Sequence, residues 1–140
     1  MPSLSKIRRI PQANSEGCGI ACLAMVAGIS YRKAVQTVFG NRKKSTHEIN
    51  IHQLAKSLKK FGFNTKLSNS FKKHNKARAV IIGFMWPGET EGHYIVYVPD
   101  EDKFLDPAWD DDDPCSWNRY DLVRYWIQSG RESLVIYNKK

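Results

Sequence analysis

The sequence of 140 residues has no run approaching the roughly 20 consecutive apolar residues of a membrane helix. Its first segment, Met1 to Pro11, carries Lys6, Arg8 and Arg9 but not the apolar stretch of a signal peptide. A membrane-spanning or classically secreted chain is therefore not expected, and no membrane is expected among its partners. Cysteine is scarce. Cys18, Cys22 and Cys115 are an odd number with no CxxC spacing, which argues against a zinc ribbon or a thioredoxin-type redox pair and leaves at least one thiol free. No internal repeat is visible. The one low-complexity stretch, Asp110 to Asp113, lacks the spaced ligands and glycine of an EF-hand loop and reads as a solvated acidic loop. Acidic residues are nearly missing from one half of the chain. Residues 1–78 hold 16 Lys/Arg against only Glu16 and Glu48, a charge of +14, whereas residues 79–140 hold 6 Lys/Arg against 12 Asp/Glu, a charge of −6. The net +8 thus describes a dipole rather than a uniformly basic molecule.

What is present suits one core. Hydrophobic residues make up 41% and charged residues 26%, so residues 1–140 are read as a single domain. The segment GCGIACLAMVAG, from Gly17 to Gly28, is apolar and predicts a buried helix that starts near Cys18 and closes at Gly28. Ser30 is the expected N-cap of a second helix, YRKAVQTVF, which places Tyr31, Ala34, Val35 and Val38 on one face and exits at Gly40. A third helix is expected from Thr46 or Asn50 to Phe61, with Ile51, Leu54, Leu58 and Phe61 at helical spacing, Lys56, Lys59 and Lys60 towards solvent, and Gly62 as its C-cap.

Beyond Gly62 the hydrophobic period shortens and β-branched and aromatic residues take over. Strands are expected at Phe63 to Leu67, Ala79 to Trp86, His93 to Val98, Lys103 to Leu105 and Leu134 to Tyr137, with a hairpin turn at Pro99 to Asp102 and a short helix around Asp121 to Gln128. Helices first and antiparallel strands second is an α+β order without a βαβ repeat.

A nucleophilic thiol requires a base, an orienting group for that base, and donors for an oxyanion. Cys18 stands at a predicted helix N-terminus, where unpaired N–H groups and the macrodipole favour the thiolate, and Gly17 and Gly19 leave room for a substrate backbone. On position alone a packing role for Cys18 weighs equally. Four histidines are on offer. His47 and His52 flank or occupy the exposed part of the third helix, and His74 lies in the Lys-rich FKKHNK, so these three read as surface residues. His93 opens an apolar strand after Gly92, and Asp106 follows it across one hairpin, close enough to fix the ring. Gln12, six residues before Cys18, can donate its amide to an oxyanion beside the Cys18 N–H, a contribution of about 3 kcal/mol at the transition state.

Those residues, taken together, resemble a known family. PQANSEGCGIACLAMVAG is similar to the active-site segment of the bacteriocin-processing peptidases, papain-like cysteine proteases that cut peptide leaders after a double glycine. The match runs through Gln12, Cys18, Gly19, Ala21, Cys22, Leu23 and Met25, continues in GHYIVYV and LDPAW, and extends to Trp126, Gly130 and LVIY. The resemblance implies a papain-like fold, an N-terminal helical lobe packed on a C-terminal antiparallel sheet. It also implies Cys18 as nucleophile, His93 as base, Asp106 as its orienting partner and Gln12 as oxyanion donor, with Gly17, Gly19 and Gly92 lining the substrate. Cys22, one helical turn further on, then points into the core. Cys115 has no base near it in sequence, and a Cys18/Cys22/His93 zinc site lacks a fourth ligand, so neither metal nor other cofactor is expected. One departure is Gly17, which stands where the family commonly has an acidic residue.

The expectation is a papain-like cysteine endopeptidase acting on protein substrates, with Gly-Gly before the cut. By analogy with small papain-like toxin domains, a bacterial effector role is expected, with a cytoplasmic site of action, delivery from another cell and an inhibitor or immunity protein as partner. A glutamine deamidase or acyltransferase on the same fold is the second reading. A basic nucleic-acid-binding or nuclease toxin domain is the third, but no nucleic-acid motif accompanies Lys43, Lys44, Lys72, Lys73 and Lys76.

Overall fold

The computed structural model describes residues 7–11, 17–40, 47–68, 76–85, 92–101, 103–107 and 133–138. Gln12, His74, Trp86, Cys115, the acidic run Asp110 to Asp113 and the expected helix at Asp121 to Gln128 lie outside them, as do Lys43, Lys44, Lys72 and Lys73.

The first helix, α1 (Cys18–Ala27), is apolar on every side and buried from Cys18 to Val26. A helix of that kind has to be enclosed, and it forms the centre of the helical lobe. Its end is set by Gly28, whose left-handed φ of 73° brings its N–H back to the Ala24 carbonyl at 2.9 Å, a geometry that glycine adopts without the Cβ penalty. Two residues later Ser30 starts α2 (Tyr31–Phe39) by accepting from the Lys33 N–H at 3.0 Å. The two helices are bent 108° from one another. Asn50 and Gln53 form a reciprocal capping box for α3 (Ile51–Lys60), each bond 2.8 Å. This helix buries Leu54, Ser57 and Leu58 and leaves Lys56, Lys59 and Lys60 exposed. Phe61 occupies the C-cap and Gly62, at φ 89°, the position after it.

The strands follow as β1 (Asn64–Ser68), β2 (Ala79–Met85), β3 (Gly92–Val98), β4 (Lys103–Leu105) and β5 (Ser133–Tyr137), with a 3-10 turn at Pro99–Glu101 in the β3–β4 hairpin. All pair antiparallel, in the order β1-β5-β2-β3-β4. The last strand among the described residues is therefore interior, inserted between the first two. The period of two divides each strand between the faces. Ala79, Ile81, Val96, Val98, Leu105, Leu134 and Ile136 join α1 and α3 in one apolar core. Val80, Ile82, Ile95, Tyr97, Phe104 and Val135 are buried in a second cluster with Ala77. Both faces of the sheet are thus apolar, which is why β2 reads as a nearly continuous hydrophobic run rather than an alternating one.

Helices and antiparallel sheet together make an α+β protein. Among the described residues no single helix is long and apolar enough to cross a membrane.

Candidate active site

Cys18 is the first residue of α1. Its N-cap, Gly17, has no side chain to cap the helix, and the N–H groups of the first turn have no intrahelical partners. The first intrahelical bond is Ala21 N–H to the Gly17 carbonyl, 3.0 Å. The helix start therefore joins a thiol, itself 7% exposed and not in a disulfide, to a group of donors.

Strand pairing places the histidine and the aspartate. His93 is the second residue of β3, held opposite Phe84 of β2. In the neighbouring hairpin Val96 pairs with Leu105. Asp106 follows directly after Leu105, which brings it near the start of β3 and within reach of the His93 ring. The contact forms: His93 Nε2 donates to Asp106 Oδ1 at 2.7 Å, with His93 6% exposed and Asp106 fully buried. Pro107 follows directly, and a residue before proline is confined to extended backbone, which limits how far Asp106 can move.

Cys18 also acts on the His93 ring. Burial alone would push the imidazole pKa down, but the hydrogen bonds to Asp106 and Cys18 and the charges of both outweigh it and raise it from 6.5 to about 9. The ring is accordingly an imidazolium at neutral pH. Cys22 is in the opposite condition. It is fully buried, and desolvation, followed by the nearby Cys18 and Asp106, raises its thiol well above the ordinary range. Cys22 stays protonated and packs in the core cluster, as expected.

The structure therefore brings three of the candidate residues, Cys18, His93 and Asp106, into one buried constellation drawn from both halves of the chain. Gln12 lies outside the described residues. Gly92 is the first residue of β3, paired with Met85. The two glycines beside Cys18 serve different needs. Gly17 is the helix cap, whereas a Cβ on Gly19 would meet Ile49 Cγ1 at 2.7 Å and Tyr94 Cδ2 at 3.6 Å. The space beside Gly19 is filled by protein, so its missing side chain has a packing cause. Among the described residues no group of three or more His, Cys, Asp or Glu side chains is arranged to hold a metal ion.

One reading of the histidines needs correction. His47 is half-buried rather than a surface residue: its Nδ1 lies 2.6 Å from the Tyr31 hydroxyl, and its ring packs 5.5 Å from Tyr31 and 6.2 Å from Phe39. His52 is exposed, as its place on α3 predicts. A residue that sequence reasoning passed over also reaches the site: Arg9 Nε donates to the Asp106 backbone carbonyl at 2.8 Å, across 97 residues.

A buried thiol at a helix start, an imidazolium beside it and a carboxylate behind that ring are the elements of a papain-like cysteine peptidase. The comparison with family models agrees: the Peptidase C39 family matches residues 6–110, and the chain belongs to that family. No curated relative matches the chain.

Proposed function

We propose that this cysteine peptidase is an endopeptidase in which Cys18, His93 and Asp106 act as the catalytic triad, and that it cuts protein substrates after Gly-Gly. The reading rests on one observation above the others, the 2.7 Å contact from His93 to a fully buried Asp106, on a ring whose pKa Cys18 also raises. Cys18 Sγ attacks the scissile carbonyl as a thiolate. The developing oxyanion is met by the N–H groups at the start of α1, to which we add the Gln12 amide on the strength of the family resemblance. The His93 imidazolium then gives its proton to the leaving amine. In the second half of the reaction the neutral ring takes a proton from water, which attacks the thioester and releases the acid. Asp106 holds the tautomer and orientation of the ring throughout.

Preference for Gly-Gly is supported by membership of the family. A substrate-lining role for Gly17 and Gly92 is part of the same proposal, whereas Gly19 faces Ile49 and Tyr94. The effector role, a cytoplasmic site of action and a cognate inhibitor are carried by the resemblance to small papain-like domains. Comparing new protein N-termini in cells expressing the active chain and Cys18→Ala tests the whole reading. The expected result is a set of Cys18-dependent N-termini preceded by Gly-Gly, with at least about 10⁴-fold lower turnover in the variant. Intact-mass gains of +1 Da without fragments would instead identify a deamidase.

A further inference from the structure

We infer that Arg9 is a positioning residue of this site, fixing the backbone of Asp106 so that its carboxylate stays on His93. The inference rests on the triad reading above and deepens it. The two other members of the triad have regular structure to hold them: Cys18 is inside α1, and His93 is inside the β2–β3 ladder. Asp106 has neither. It comes one residue after β4, an edge strand of only three residues, and the paired register ends at Leu105. The paired register therefore stops just short of the residue whose position decides whether the ring is held.

What replaces the ladder is a bond from the far end of the chain. Arg9 Nε donates to the Asp106 carbonyl at 2.8 Å. Arg9 can do this because its own segment is anchored on both sides. Ile7 is buried at 4% exposure, and Ile10 packs against the same core cluster as α1. With Pro107 restricting one side of Asp106 and Arg9 holding its carbonyl, the residue has little freedom left, and a small shift at the site of catalysis is costly in rate.

Asp106 from beyond β4 and Cys18 from α1 bear on His93, and both also add to the rise that burial gives the Cys22 thiol, one turn further along α1. The direction of a shift is informative. Removing a nearby positive charge would by itself move an imidazole pKa upwards, whereas loosening Asp106 moves it downwards.

The test is an NMR titration of the His93 ring in the full chain for wild type, Arg9→Met, Arg9→Lys and Asp106→Asn. Methionine keeps an apolar stem for packing and removes the donor. The expected result for Arg9→Met is a midpoint lowered by about one pH unit, in the same direction as Asp106→Asn but smaller. A roughly tenfold fall in kcat/KM should accompany it. Arg9→Lys, which retains a donor, should recover most of both. An unmoved or raised midpoint in Arg9→Met, with the midpoint lowered in Asp106→Asn, overturns the role given to Arg9 and leaves the triad standing. An unmoved midpoint in both variants overturns the triad reading itself.

Discussion

Cys18 and Asp106 are both buried, yet they are held by unlike means. Cys18 begins a helix in which every residue to Val26 is enclosed, with Leu23, Ala24 and Val26 at 0% exposure. Its position is set by close packing, which spreads any disturbance over many contacts. Asp106 sits past the end of a short edge strand and is held by its contact with His93, by Pro107 and by one bond from Arg9. Its position depends on a few directional interactions. The nucleophile is thus built on an enclosed helix and the orienting carboxylate past the end of a three-residue strand. A volume change beside α1 should therefore act on stability, whereas a polar change around Asp106 should act on the chemistry of the ring.

The largest effect expected from the Asp106 side is on activity. Asp106→Asn removes the charge behind His93 while keeping the shape, and a loss of about 10²-fold in kcat/KM is expected. The pH dependence of stability should change with it. Because the folded-state pKa of His93 is raised from 6.5 to about 9, the protonated ring favours the folded form. That contribution is complete below the unfolded value and is lost as the pH rises from 6.5 through about 9. Thermal melts of wild type should fall across this window, and those of Asp106→Asn should fall less. Equal slopes in the two proteins would mean that the carboxylate does not sustain the imidazolium.

On the Cys18 side, the sharpest substitution is Gly19→Ala. The added carbon would lie 2.7 Å from Ile49 Cγ1, and relieving that overlap forces Ile49 or the start of α1 to move. A loss of about 1–3 kcal/mol of stability is expected, measured by denaturant unfolding. If the variant is as stable as wild type, α1 is less tightly enclosed than the contrast with Asp106 requires.

How far the sequence foretold this arrangement depends on whether local or distant partners decide each part. The helices were legible because their ends are chemical: Gly28, Ser30 and Gly40 terminate elements as expected, and of the two starts expected for the third helix, Thr46 or Asn50, Asn50 is its N-cap. At its other end that helix was drawn one residue too far, since Phe61 serves as its cap. β1 is shifted by one from the expected Phe63 to Leu67, because the Phe63 N–H turns back to the Leu58 carbonyl, 3.1 Å, and joins the exit of α3 rather than the strand. The interior place of β5 was not legible, because local pattern gives a strand but not its neighbours. The same distinction runs through the site. His93 and Asp106 could be paired from the length of one hairpin. His47 was misjudged because its surroundings are Tyr31 and Phe39, brought over by α2. Arg9 looks like any cation in a basic segment until the fold returns Asp106 to it from 97 residues away.

The smallest effect is the control that gives the comparison its meaning. Ser30 accepts from the Lys33 N–H and caps α2, and Ser30→Ala should cost about 1 kcal/mol. That helix packs on α1 but bears no member of the triad. Its loss of stability should therefore leave the His93 titration and kcat/KM close to wild type under conditions where the variant is folded. Arg9→Met, even if it costs a similar amount of stability, should change both. Two variants matched in melting temperature and different in the ionisation of one ring would separate packing from positioning directly. A shift of the His93 midpoint in Ser30→Ala as large as that in Arg9→Met would mean that the ring responds to general loosening of the fold, and the distinction between the two sides of the site would be lost.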